Sequence, residues 1–355
     1  MEVEGKPAAV SVAWIINLNL NCCGPLKRPP LPSGIVITHT TVVAALAGRS
    51  GRTDFALPFQ SPPFTRAHMT ARTSPKTFVL ALLAFAFAAR PAPVEATWSI
   101  IAVDTESGIV VIASATCVSA EGLRTRGGLM SIQAVIVPGI GVAAAQAGVD
   151  GTRANQTLIF EQLRAGTDPD DIITMLSEDP DFERRQFGIV DLQGRMAGFS
   201  GSGNGFASLA VQTEVREENI YFAVQGNILE NHDVVLDAVE AMLADDGTVV
   251  DRVMAGMEAA AEAGGDARCS CRSQPVPETE AGCRHRTAHV AYIAAARPED
   301  PIGEGHSDGE YSLFIDVDDE NTRAVERASP VATLRMRYDA WKAGGGLERI
   351  GLGDR

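Results

Sequence analysis

The chain reads as an α+β domain in which two stacked antiparallel sheets lie between layers of helix, a four-layer αββα arrangement. Three observations lead there. Beyond Thr97 the order runs strands, helices, strands, helices, strands. The strands are apolar on both faces or carry small residues, the pattern of a sheet covered on two sides. No repeat of fixed period runs through the chain, which sets aside solenoids and propellers. Outer helices over inner sheets satisfy all three.

Trp98–Asp104 alternates and is rich in β-branched residues, so it is a strand. Thr105–Gly108 is a turn, and Ile109–Cys117 (IVVIASATC) completes a hairpin. Ala134–Val137 and Val142–Gln146 flank Pro138–Gly141 as a second hairpin. Thr152–Ala165 has helical spacing through Leu158, Ile159 and Leu163, and Asp168 caps a helix over Pro169–Leu176. Arg185–Asp191 and Met196–Ser200 are strands hinged at Gln193–Gly194. GSGNG at Gly201–Gly205 is a turn and not a phosphate loop, because no Lys-Ser/Thr follows. Tyr221–Gln225 is a strand; Val234–Leu243 and Val249–Ala263 are an amphipathic helix pair. After the irregular Gly264–Arg286, Thr287–Ala295 and Tyr311–Val317 are late strands. Thr322–Lys342 reads as a final helix stopped at Gly344–Gly346. The domain then spans residues 97–343, and 344–355 form a flexible tail.

Residues 69–96 have the features of a secretory signal peptide. Arg72 and Lys76 follow Met69, and Phe78–Ala89 (FVLALLAFAFAA) is an apolar run too short to span a bilayer comfortably. Arg90, Pro91 and Pro93 break any helix, and Val94 and Ala96 are the small residues a signal peptidase selects. The expected cut lies between Ala96 and Thr97. Residues 1–68 precede it with Pro-rich, aperiodic sequence. A wrongly assigned start, with translation from Met69, is favoured over a disordered extension or a small module. The product is expected to be secreted or periplasmic, with no membrane contact after the cut.

The charge changes at the same boundary. The whole chain carries −15; its first 96 residues hold nine Lys/Arg and four Asp/Glu, so the remainder is near −20. Such a surface argues against nucleic acid as a partner, because phosphate binding needs clustered cations. Oligomerisation to a homo-oligomer is left open.

A cut after Ala96 places a hydroxyl and a free α-amine on one residue, Thr97. The hydroxyl is a weak nucleophile until a base takes its proton. An α-amine titrates at about 7.7–8, so a useful fraction is neutral near neutral pH and can act as that base. Asn227 is the candidate oxyanion donor through its side-chain amide. Gln146 or Gln225 would orient it and contact substrate. Asp266, in a Gly-Gly-Asp loop, would bond the α-amine or cap a neighbouring element.

The ordered set TWSIIAVD (Thr97–Asp104), GIVVIASATC (Gly108–Cys117), GIGVAAAQ (Gly139–Gln146), RQFGIVD (Arg185–Asp191), QGNIL (Gln225–Leu229) and GGDAR (Gly264–Arg268) resembles the domain-of-unknown-function family 1028, within the N-terminal-nucleophile (Ntn) hydrolase superfamily. The resemblance implies the αββα sandwich and Thr97 at the nucleophile position. In other members that Thr follows an initiator Met; here the signal cut would expose it. Proteasome-like members of the superfamily carry an Asp–Lys pair that tunes the nucleophile. Here the matching stretch is Ala113–Ser114–Ala115, and no Lys occurs between Thr97 and Asn227. The pair is therefore expected to be absent, with Ser114 as a hydrogen-bonding stand-in and Arg124 or Arg126 as a source of positive charge.

Four cysteines follow the cut: Cys117, Cys269, Cys271 and Cys283. In an exported chain they read as two disulfides with three pairings. Cys269 and Cys271 are too close to pair comfortably, so each would bond to Cys283 or Cys117. A zinc site from Cys269, Cys271, Cys283, His285 and His289 competes, though its spacing matches no strong pattern; free thiols are the third reading.

The expected function is an exported Ntn-type hydrolase that cleaves an amide or related acyl bond in a small-molecule or peptide substrate, without metal or cofactor. The alternative is a non-catalytic module of the same fold that binds a ligand or envelope component.

Overall fold

The computed structural model describes residues 96–269 and 287–353, together with the backbone of Ile15–Ile16. Apart from Ala96 and the Ile15–Ile16 backbone, the expected signal peptide and the segment before it lie outside the described residues, as do Cys271, Cys283 and His285. The larger sheet holds β1 (Ile15–Ile16), β2 (Thr97–Asp104), β3 (Ile109–Thr116), β8 (Leu209–Val215), β9 (Ile220–Asn227), β10 (Val290–Ala296) and β11 (Leu313–Val317), ordered β1–β8–β9–β2–β3–β10–β11. The smaller holds β4 (Ala134–Val137), β5 (Gly141–Ala147), β6 (Arg185–Asp191) and β7 (Met196–Ser200) in sequential order. Every neighbouring pair is antiparallel.

The period of two in the strands sorts their side chains into layers. Even positions of β2 (Trp98, Ile100, Ala102) face an outer layer of α5 (Asp233–Ala244), α6 (Val249–Glu262) and α7 (Pro330–Ala343). Odd positions Ile101 and Val103 face the smaller sheet and meet Ile136, Val142 and Val190. The far side of that sheet packs Val135, Phe187 and Ile189 against α3 (Ala154–Arg164) and α4 (Pro169–Leu176). Two antiparallel sheets between helices form an α+β sandwich, as the strand and helix order predicts. Asp168 caps α4 through the Asp170 amide.

The structure differs from the sequence reading in three places. It adds β8 and two short helices, α1 (Ala120–Arg124) and α2 (Gly128–Gln133), which are too brief to show a period. The last long helix begins at Pro330 and not at Thr322, because proline supplies a ready N1 residue and holds Ser329 extended. The segment after Gly344 is not a tail: it forms α8 (Gly346–Arg349), and Leu347, Ile350 and Leu352 are buried in the helix–sheet core.

Candidate active site

The layer between the sheets changes character along its length. One end is apolar. At the other end the same inward-facing positions carry Thr97 and Ser99 of β2, Ser114 and Thr116 of β3, Gln225 and Asn227 of β9, Gln146 of β5 and Gln186 of β6, all buried. Stacked sheets gain most from apolar contact. Eight polar side chains at one end depart from that rule, and such departures mark functional sites.

Most of these groups satisfy one another. Ser99 Oγ donates to Gln146 Oε1 at 2.7 Å, and Gln146 Nε2 donates to the Thr97 carbonyl at 3.1 Å and to Gln186 Oε1 at 2.8 Å. Gln186 Nε2 continues to Ser200 Oγ and the Gly226 carbonyl, both at 2.9 Å. The sheets are thus tied at the start of β2. Gln146, expected to orient Asn227, holds the backbone of Thr97. Gln225 donates to the Ala144 carbonyl at 3.1 Å, while its Oε1 lies buried without a partner.

Thr97 opens β2 opposite Asn227, and the register of β2 on β3, which pairs Trp98 with Ala115, brings Thr116 level with Thr97. Ser114 lies two pairs further in, opposite Ser99, and its hydroxyl donates to the Trp98 carbonyl at 2.6 Å. Thr116 therefore occupies the position expected of Ser114. Thr97 Oγ1 lies 3.5 Å from Thr116 Oγ1 and donates to the Ala96 carbonyl at 2.6 Å. Thr116 Oγ1 donates to that same oxygen at 2.7 Å.

A third donor arrives from the loop after α6. Arg268 Nη2 reaches the Ala96 carbonyl at 2.7 Å and Thr116 Oγ1 at 3.3 Å. Asp266, fully buried, holds the guanidinium: Oδ2 accepts from Nη2 at 2.6 Å and Oδ1 from Nε at 3.1 Å. A two-point carboxylate–guanidinium pair is both strong and directional. Asp266 Oδ2 also accepts from the Cys117 amide at 2.8 Å. A charged pair of another kind, Asp266–Arg268, thus stands beside Thr97, supplied by the loop after α6 and not by the strands where the Asp–Lys pair was looked for. Arg124, one of the two arginines considered for this charge, pairs with Glu320 at the surface.

The loop is clamped on two sides. Ala267 N donates to the Ile228 carbonyl at 3.1 Å and Glu230 N to the Gly265 carbonyl at 3.0 Å. Gly265 sits at φ +57° against the Trp98 ring, where a Cβ would come within 2.8 Å. On the other side Cys269 is bonded to Cys117, with Cα atoms 5.7 Å apart. That bond takes Cys269 out of the zinc set, His289 pairs with Asp319 at 3.0 Å, and no cluster of three metal-binding side chains occurs among the described residues.

Two non-glycine residues with left-handed backbone adjoin the site: Ala147 at φ +71° directly after Gln146, and Ile228 at φ +50° directly after Asn227. A β-branched residue there is strained by roughly 1–2 kcal/mol. Both end their strands abruptly and present the preceding amides at the layer's edge. Arg268 and Thr116 are the residues beside Thr97 that the sequence reading passed over. Arg268 lay in plain view, two residues from Asp266 in the GGDAR run. Among the described residues no helix is long and apolar enough to cross a membrane.

The family model described as "Family of unknown function (DUF1028)" matches residues 97–276, beginning at Thr97 itself. A crystal structure of a Silicibacter pomeroyi protein assigned to the same family model is similar over 71% of this chain and 92% of its own, with 24% identity and a TM-score of 0.50. That likeness concerns the fold alone. No curated protein matches the chain.

Proposed function

The chain belongs to the family of unknown function DUF1028, and from that premise and the site geometry we propose that it is an Ntn-type hydrolase with Thr97 as nucleophile. One observation carries the reading: Thr97 Oγ1, Thr116 Oγ1 and Arg268 Nη2 converge on the oxygen of the residue directly before Thr97. They do so at the polar end of an otherwise apolar layer. That arrangement supports acyl chemistry at the first residue of a strand.

The proposed steps are few. Export removes the segment through Ala96 and frees the Thr97 amine. The neutral amine takes the Oγ1 proton as the oxygen attacks an acyl carbon. Arg268 and the Asn227 amide face the negative charge that develops on the acyl oxygen, preorganised in a site shielded from water. The leaving amine departs with a proton, and water then releases the acyl group from Thr97. Gln146 keeps the nucleophile strand in place through the Thr97 carbonyl. The substrate is an amide or related acyl compound.

The test is labelling of the exported protein with a β-lactone, read by mass spectrometry. Thr97 should carry the adduct, T97A should lose it, and T97S should keep it. An absence of adduct across a panel of acylating probes would favour a non-catalytic module of the same fold. N-terminal sequencing is the second arm, since any first residue other than Thr97 removes the proposed base.

A further inference from the structure

A backbone carbonyl oxygen has two lone pairs and is satisfied by two donors. The Ala96 oxygen receives three, of which one is a guanidinium. The cradle is built into the fold. Thr116 and Asp266 are fully buried, Asp266 aims Arg268, and the Cys117–Cys269 bond ties together the residues next to Thr116 and Arg268. This is more donor capacity than a neutral carbonyl uses, and it suits a charged oxygen.

Cleavage after Ala96 changes the local charge in the same direction. Among the described residues, the charged side chains bonded to this oxygen or to its donors are Asp266 and Arg268, which offset one another. Hydrolysis adds one water and leaves a carboxylate on Ala96 and an ammonium on Thr97. Once the carboxylate departs, the Thr97 ammonium remains beside Arg268, so the cut makes the position more positive than it was in the intact chain. The oxygen position then stands open between three donors: a guanidinium, a hydroxyl and an ammonium.

We infer that the mature site binds a carboxylate there, with Arg268 Nη2, Thr116 Oγ1 and the Thr97 α-ammonium as its donors. The ligand class is a small acyl-amino-acid-like carboxylate, shaped as the Ala96 end of the leader was. The acyl product of the proposed hydrolysis also carries a carboxylate and would compete for the site. The inference rests on one part of the hydrolase reading, the cut after Ala96.

The experiment uses the exported protein with Thr97 verified as its first residue by mass spectrometry. N-acetylalanine is titrated calorimetrically against its neutral counterpart, N-acetylalaninamide. The acid should bind saturably and at least about tenfold more tightly than the amide, as a charge-assisted contact implies. R268Q should weaken the acid by about tenfold or more. T116V removes one hydroxyl with little change of shape, and should weaken it about threefold to tenfold. Equal binding of acid and amide, or acid binding unchanged in both variants, overturns the inference; so does a first residue other than Thr97, which removes the hydrolase reading as well. The β-lactone adduct is measured on the same samples to separate the two ideas. Labelling without carboxylate preference sinks this inference and leaves the hydrolase reading standing. Carboxylate preference without labelling upholds the site and sinks the hydrolase.

Discussion

The Cys117–Cys269 bond offers the sharpest test of how the site is held. It closes a loop of 152 residues. In the chain-entropy description, restricting the unfolded ensemble over that length is worth about 5 kcal/mol at 25 °C. Measured values for such bonds generally fall below this figure, so C117S/C269S should lose about 2–4 kcal/mol of stability. The local structure gives the bond a second role. Cys117 follows Thr116 and Cys269 follows Arg268, so the crosslink fixes the separation of two groups that meet at one oxygen. Urea unfolding of the double variant and of the wild type, both with remaining thiols blocked, measures the first effect. The rate of Thr97 acylation at low urea, where both proteins are folded, measures the second, and it should fall in the variant. A stability loss under about 1 kcal/mol would refute the loop-entropy argument. An unchanged acylation rate would refute the claim that the bond positions Arg268.

Three further outcomes follow from the packing. Q146L leaves the Ser99 hydroxyl and Gln186 Oε1 without their partner inside the inter-sheet layer; at about 1–3 kcal/mol per orphaned group, offset by the apolar gain, it should cost roughly 2–4 kcal/mol in urea unfolding. G201A would set a Cβ 2.3 Å from the Glu183 carbonyl oxygen, a backbone atom with little room to yield; thermal unfolding should register a loss of about 1–3 kcal/mol. Burial alone would raise the Asp251 carboxyl, but hydrogen bonds from Lys342, Thr248 and Tyr338 outweigh it and hold it below the usual range. Its contribution is therefore complete above its unfolded value of about 3.9 and is lost as pH falls through the lower folded value. The acid limb of the thermal-stability profile should flatten in D251N, and an unaltered limb would remove Asp251 from the account.

Much of this protein is legible in its sequence. Strand alternation in TWSIIAVD and IVVIASAT, the Asp168 cap and the α5–α6 pair are local: a side chain's face follows from its place in a period of two or 3.6. Thr97 and its neighbours stand out because the expected processing signal and the first strand adjoin in the chain. Residue types that carry chemistry, Asn227, Asp266, Gln146 and Gln225, were visible for the same reason. Which of them meet was not. Thr116, not Ser114, lies beside Thr97 because hairpin register shifts in steps that spacing within one strand does not encode. Arg268 reaches Ala96 from 172 residues away, and Cys269 reaches Cys117 across a comparable span. Such contacts are decided when the sheets and helices close on one another, since long loops constrain their ends weakly. The sequence by itself determined which faces of the strands and helices turn inward and which residue types are at hand; the tertiary structure decided that a hydroxyl, a buried ion pair and a disulfide would assemble around the Ala96 carbonyl.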